Sequence, residues 1–508
     1  MKIRQHLTAF GILFLSIAIF KFTYLFASTI WRADLYYYME FARTMLDGGV
    51  LYKDFGCSHP PFGYLEFYWI AKIFGYDNFY FAARACGNAI HLFTAFIVYL
   101  SCEKLYGFKK GIFYSVFFVI LTSSDSGFWP NNIPLTFMLP MFAAFYFIIK
   151  DQFKPNATSW LFFGFFVSCA TMISTNVVFY ALMVPFISIA INGRDIKKIL
   201  KDSVIAFSGF MIPIIGMAIY FYLHNALSDW YFWNIIWGSI YGTYKPWYVR
   251  IGHLFLGVFK SWAILPVFAI SIYAFVKAIR NRKILKPEHF AFIAAAFITA
   301  ILSKLIMNKP VSRYNLYMIP GLFFVVLFVF EMSKGNLKKA LISVSLIVLM
   351  ISTLLVNINA WRHPHHIGFF ADRAELREAI MNTVPADKTI FVWDTGYEIY
   401  YETRRKRSKN SFFSPSEFLD RSRLWKDQKY KGTEAMWSRF LSEFTINPPD
   451  YLIDYTYNLD PTDWEPKDGE REGVHKIYYD KFYSYVTENY IEILRTEKQG
   501  RILQRISK

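Results

Sequence analysis

Between Trp31 and Gly75 the chain reads WRADLYYYMEFARTMLDGGVLYKDFGCSHPPFGYLEFYWIAKIFG, directly after its first long apolar run. Asp34 lies just past the end of that run, beside Arg32 and among aromatic residues. A carboxylate so placed is suited to act as a general base. Asp is equally a favoured capping residue for the helix that follows it, so both roles stand open at this point. Asp54, in YKDF, reads as either a turn residue or a site residue. Asp125, in TSSDSGFWPNN with Asn132 nearby, reads as a cap for its loop. In SKLIMNKPVSRYNLYMIP, Lys304, Lys309 and Arg313 gather at one end of two apolar runs. By local chemistry these bases read as ordinary snorkelling at a membrane edge.

These residues need elements to position them, and the composition says which kind. Hydrophobic residues make up 55% of the 508 and charged residues 18%, with a mean hydropathy of +0.27. Apolar runs long enough to cross a bilayer recur along the chain. We read spans at 7–30, 78–101, 111–124, 132–150, 159–174, 176–192, 203–223, 251–276, 289–307, 312–331 and 339–358, about eleven in all. The first is too long, and lacks the small-residue cleavage site, for a secretory signal.

The net charge of +17 marks orientation rather than nucleic acid. Basic residues collect in alternate short loops: around Lys104 and Lys110, Arg194 and Lys201, Lys277 and Lys286, and Lys334 and Lys339. The positive-inside rule places those loops and the N-terminus in the cytoplasm of a cell inner membrane protein. An odd span number then puts the C-terminus outside. Four cysteines show no metal-ligand spacing and no disulfide framework.

Two outer loops are long. In the first, 31–77, a helical apolar pattern runs from Asp34 to Leu46 and ends at Asp47-Gly48-Gly49; Pro60 opens a second helix that Gly75 stops. The second, Leu227 to Arg250, is dense in Trp and Tyr, residues suited to the headgroup level. Residues 1–361 thus form a transmembrane domain. Residues 362–508 read as a soluble α/β domain, with strands in KTIFVWD and DYLIDYT, a helix at Asp372–Thr383 and a closing hairpin in YIEILRTEKQGRILQRI.

The order Asp34, Tyr37-Tyr38, ARTMLDGG, LYKDF, HPP, a helix ending FG and then Arg84 resembles the first outer loop of the GT-C glycosyltransferases that use polyprenyl-phosphate sugars. It is similar above all to the bacterial protein O-mannosyltransferase and lipid A aminoarabinose transferase relatives. The likeness in layout covers about residues 1–360, and the specific motifs lie in 30–90. The resemblance implies an inverting transfer of a monosaccharide from a polyprenyl-phosphate donor at the outer face, with Asp34 as catalytic base. It also implies His59, Arg84, Lys309 and Arg313 at the donor phosphate. Asp54, Asp125, Tyr37 and Tyr38 are then candidate acceptor or cation contacts. Relatives often carry Lys before Pro-Pro where this chain has His59, which donates a hydrogen bond without a permanent charge. The expected partners are the lipid bilayer, the lipid-linked donor and a glycolipid, glycan or protein acceptor, with no nucleic acid. No cofactor is required, although the acids allow a divalent cation.

Two other readings fit the topology: a transporter or flippase for a lipid-linked glycan, and a glycan polymerase or ligase. A transporter is expected to carry charge near the bilayer midplane, where this chain offers mainly Lys21 and Lys260. Four further signals read as structural: DTG at 394–396 as a turn, HPHH at 363–366 as a linker, RRKR at 404–407 as a solvated loop, and the sequon at Asn156 as a cytoplasmic loop.

Overall fold

The computed structural model describes residues 2–26, 32–57, 59–125, 136–237, 246–261, 263–283, 285–306, 312–333, 335–362, 374–393, 396–408, 432–454, 474–496 and 500–506. Lys309, DTG and HPHH lie wholly or mainly outside these residues. Seven helices among them are long and apolar enough to cross a membrane, and Met138–Ile149 and Ala157–Thr171 are shorter apolar helices. The molecule is a multi-pass helical membrane protein.

Its opening helices are α1 (Lys2–Phe26), α2 (Arg32–Leu46), α3 (Pro61–Phe74), α4 (Phe79–Tyr106) and α5 (Phe108–Leu121). Small residues let the later helices meet closely. A Cβ on Gly164 would lie 1.8 Å from the Ala206 carbonyl oxygen, and one on Gly209 would lie 2.0 Å from that of Leu161. The helices Ala157–Thr171 and Ile196–Leu223 therefore pack backbone to backbone, as membrane helices do without a hydrophobic driving force between them. Two basic loops meet at one end of the bundle, where Lys110 and Lys338 reach the Glu331 carboxylate at 2.5 and 3.4 Å.

Of the apolar runs expected to be single spans, one is divided and two continue as single spans that change helix type near their start, and the three junctions share a cause. The run 251–276 divides into Trp247–Lys260 and Ile264–Arg280. The runs near 176 and 312 open with the 3₁₀ turns Thr175–Leu182 and Ser312–Met318 before Met183–Asn192 and Ile319–Met332. Pro185, Pro266 and Pro320 fall in the first turn of the helix that follows each junction. A proline there lacks the N–H that would bond back across the junction, while its fixed φ suits a helix start. Lys260, expected within a span, stands instead in the last turn of its helix.

The C-terminal part carries a mixed sheet of order β2-β1-β3-β5-β4, with β1 (Thr389–Trp393), β2 (Lys406–Arg407), β3 (Tyr451–Asp454), β4 (Tyr490–Arg495) and β5 (Arg501–Arg505). β1 lies parallel to β2 and β3, whereas β5 is antiparallel to β3 and β4. Arg501 donates to the fully buried Asp454 at 2.9 Å across the β3–β5 pair. A single apolar core runs from Phe41, Phe55 and Tyr64 of the 31–77 loop to Ile390, Phe440 and Ile453 of this part. The loop and the sheet consequently hold one another in place.

Candidate active site

The loop's two helices have local causes. α2 ends at Asp47-Gly48-Gly49, where Gly48 takes φ +89° and the Gly49 N–H bonds the Thr44 carbonyl at 2.8 Å. α3 has proline at its first position, and Gly75 (φ +80°) stops it with an N–H bond to the Ala71 carbonyl. α2 begins at Arg32, so Asp34 belongs to its first turn and is not the residue flanking the helix. The capping alternative weakens on that placement.

Aromatic rings join α2 to α3. Tyr38 stacks on Phe67 with centroids 4.8 Å apart and planes 3° from parallel. Tyr37 meets Phe41 at 4.1 Å and Tyr64 at 6.2 Å. Both tyrosines are buried, so their rings fix the helix that carries Asp34. His59 is exposed, lies over Tyr64 at 6.4 Å, and its carbonyl accepts from the Tyr52 hydroxyl at 2.7 Å. The second long loop covers this one: Trp233 lies so close over Gly56 that a Cβ there would sit 2.1 Å from the ring.

The basic residues occupy two places. Arg84, buried on α4, lies 4.1 Å over the Tyr80 ring and donates to its hydroxyl. Arg313 and Lys304 flank one ring, at 5.3 and 5.4 Å from the Tyr314 centroid, so the expected gathering of these two bases is present. Asp125 accepts from the Ser261 hydroxyl at 2.5 Å, which ties it to the break after Lys260. Asp54 accepts the Val50 N–H at 2.6 Å as a turn residue. Its backbone carbonyl also accepts from Arg407 at 3.0 Å.

That last contact corrects the reading of RRKR as a solvated loop. Arg404 pairs with Asp77 at 2.8 Å and lies over the rings of Tyr76 and Tyr401, at 5.0 and 4.6 Å. Arg405 donates to the carbonyls of Val384 and Met381 at 2.7 and 3.0 Å. Lys406 and Arg407 form β2. The cationic run is a docking edge. Asn156, for its part, caps its helix by accepting the Ser159 N–H at 2.9 Å.

Two acids matter that the sequence did not single out. Glu40, buried on α2, accepts from the Tyr76 hydroxyl at 2.7 Å and lies 3.6 Å from Arg43. Burial raises its carboxyl above the usual range, against the pull of Arg43 and Tyr76. Arg43 in turn donates to the carbonyls of Tyr400, Arg404 and Arg405 at 3.4 Å each. Glu66, the lone acid of the apolar helix α3, accepts from the Thr136 hydroxyl, and burial raises it to about 7. An isolated acid inside such a run was the legible signal for Glu66. Glu40 gave none, because Tyr76 is 36 residues away. Among the described residues, no three His, Cys, Asp or Glu side chains gather to hold a metal.

No protein-family model and no curated protein matches the chain. Solved structures do. ArnT from Cupriavidus metallidurans bound to undecaprenyl phosphate superposes with a TM-score of 0.59 over 98% of both chains at 10% identity. The same protein in the apo state gives 0.56 over the same shares at 11% identity. AglB from Archaeoglobus fulgidus, in complex with an inhibitory peptide and a dolichol-phosphate, aligns more loosely at 0.49. The chain has the fold of the GT-C superfamily, end to end. ArnT is one solved protein that the chain follows along nearly its whole length.

Proposed function

We propose that this protein is an inverting glycosyltransferase that moves a monosaccharide from a polyprenyl-phosphate donor to an acceptor hydroxyl at the outer face of the cytoplasmic membrane. The observation that carries the reading is the full-length superposition on a structure bound to undecaprenyl phosphate. It combines with Asp34 in the first turn of a helix fixed from both sides. Asp34 takes the proton of the acceptor hydroxyl as that oxygen attacks the anomeric carbon. The bond from that carbon to the phosphate oxygen breaks on the opposite face, the electron pair leaves with the lipid phosphate, and the anomeric configuration inverts. His59, Arg84, Lys309 and Arg313 neutralise the departing phosphate. Asp54 and Asp125 serve the acceptor side. The basic loops and the N-terminus face the cytoplasm, and residues 362–508 form an extracytoplasmic domain above the site.

Native mass spectrometry of the purified protein tests the donor class. Undecaprenyl phosphate should give a one-to-one adduct that survives activation better than the undecaprenol adduct. Equal retention of the two lipids would remove phosphate recognition and the reading with it.

A further inference from the structure

A cleft of about 700 Å³ opens between the end of α2, the second long loop and the C-terminal sheet. Its size is that of an ordinary small-ligand site, but its chemistry differs from one. Among the described residues no apolar side chain lines it, and five acidic residues face five basic ones. We propose that this cleft binds a neutral, hydroxyl-rich glycan, the sugar chain of the acceptor. Its role in acceptor binding rests on the glycosyltransferase reading; its affinity for neutral glycan does not.

Each alternative class of ligand meets a specific obstacle. A polyprenyl or acyl chain finds no apolar wall among the described residues. A phosphorylated or sulfated glycan meets as many carboxylates as cations and gains no net attraction. A sugar hydroxyl, by contrast, is donor and acceptor at once. The cleft offers it joined pairs: Arg439 with Asp229 and with Glu443, both at 2.7 Å, and Arg43 with Glu40 at 3.6 Å. One hydroxyl donates to the carboxylate while accepting from the guanidinium beside it. The pairs are already ordered, so binding costs little side-chain freedom. Gly48 and Gly49 at the end of α2 line the same wall and leave room beside it.

The position fits the reaction. Glu40 follows Asp34 by six residues on one helix, about 9 Å along its axis at the α-helical rise.

Binding of the full-length protein in nanodiscs to an array of neutral, phosphorylated and sulfated oligosaccharides tests this. Neutral members should bind and anionic ones should not. Asn447→Trp, at an exposed lining position, should fill the cleft and weaken neutral binding by roughly tenfold or more, while undecaprenyl phosphate binding on the same samples stays unchanged. Asp47→Lys, which tips the charge balance, should let anionic members bind. The proposal fails if no neutral member binds, if Asn447→Trp binds as the parent does, or if anionic members bind the parent better. Loss of undecaprenyl phosphate binding alone would count against the donor reading and leave the cleft standing.

Discussion

Asp34 and Arg313 stand at opposite ends of the proposed displacement, one at the attacking hydroxyl and the other at the departing phosphate. Arg313 shares the Tyr314 ring with Lys304, an arrangement that fits both a phosphate clamp and a membrane anchor. Substitution separates the two. A leaving phosphate gains charge as the sugar departs, so Arg313→Ala should slow single-turnover transfer more than it weakens donor binding. The combined cost should be on the order of 2–4 kcal/mol for one charge-assisted contact. Arg313→Lys should restore only part, because a point charge cannot reproduce the planar fork. Full restoration by lysine, or no change in either quantity with alanine, would make the residue an anchor. At this scale the sequence displayed candidates that stand in a local motif, such as Asp34 and His59. It concealed those whose role is set by distant partners. Arg407 reaches the Asp54 carbonyl across 353 residues, and no reading of RRKR alone contains that contact.

The helices α2 and α3 were legible almost to the residue, because Gly48, Pro60 and Gly75 punctuate them and those signals are local; α3 starts one residue later than read, at Pro61. The division before Ile264 and the changes of helix type before Met183 and Ile319 were not, since hydropathy continues across each proline junction. α2 is clamped at one side by the α3 rings and at the other by Arg43, Tyr76 and Arg404 against the C-terminal part. The C-terminal part thereby positions the helix that carries Asp34. Glu66 gives α3 a measurable signature. Burial lifts its carboxyl from 4.5 to about 7, so the folded state prefers the protonated form more than the unfolded chain does. The resulting stability is fully present below pH 4.5 and is lost as pH rises through about 7. Thermal unfolding of the wild type should therefore fall relative to Glu66→Gln across that window. A difference between the two that stays flat with pH would show that the carboxyl titrates normally.

For the whole molecule, composition and loop charge pointed to a membrane bundle, and a superposition over 98% of ArnT bears out the GT-C fold. The shared core of the 31–77 loop and the sheet stayed hidden, since hydropathy sees each apolar run but not which runs meet. Orientation has its own test. Reporter fusions after Lys110, Lys201, Lys286 and Lys339 should read cytoplasmic, and a fusion after Lys508 should read outside. A cytoplasmic C-terminus would move the proposed site to the wrong side. The central claim, a single displacement at a polyprenyl-phosphate sugar with Asp34 as base, is tested most directly by single-turnover transfer in purified wild type and Asp34→Asn. Asparagine keeps the size and removes the basicity. Donor binding and thermal stability should match the wild type, while the transfer rate falls by roughly two to four powers of ten. Transfer by Asp34→Asn at the wild-type rate would contradict the account.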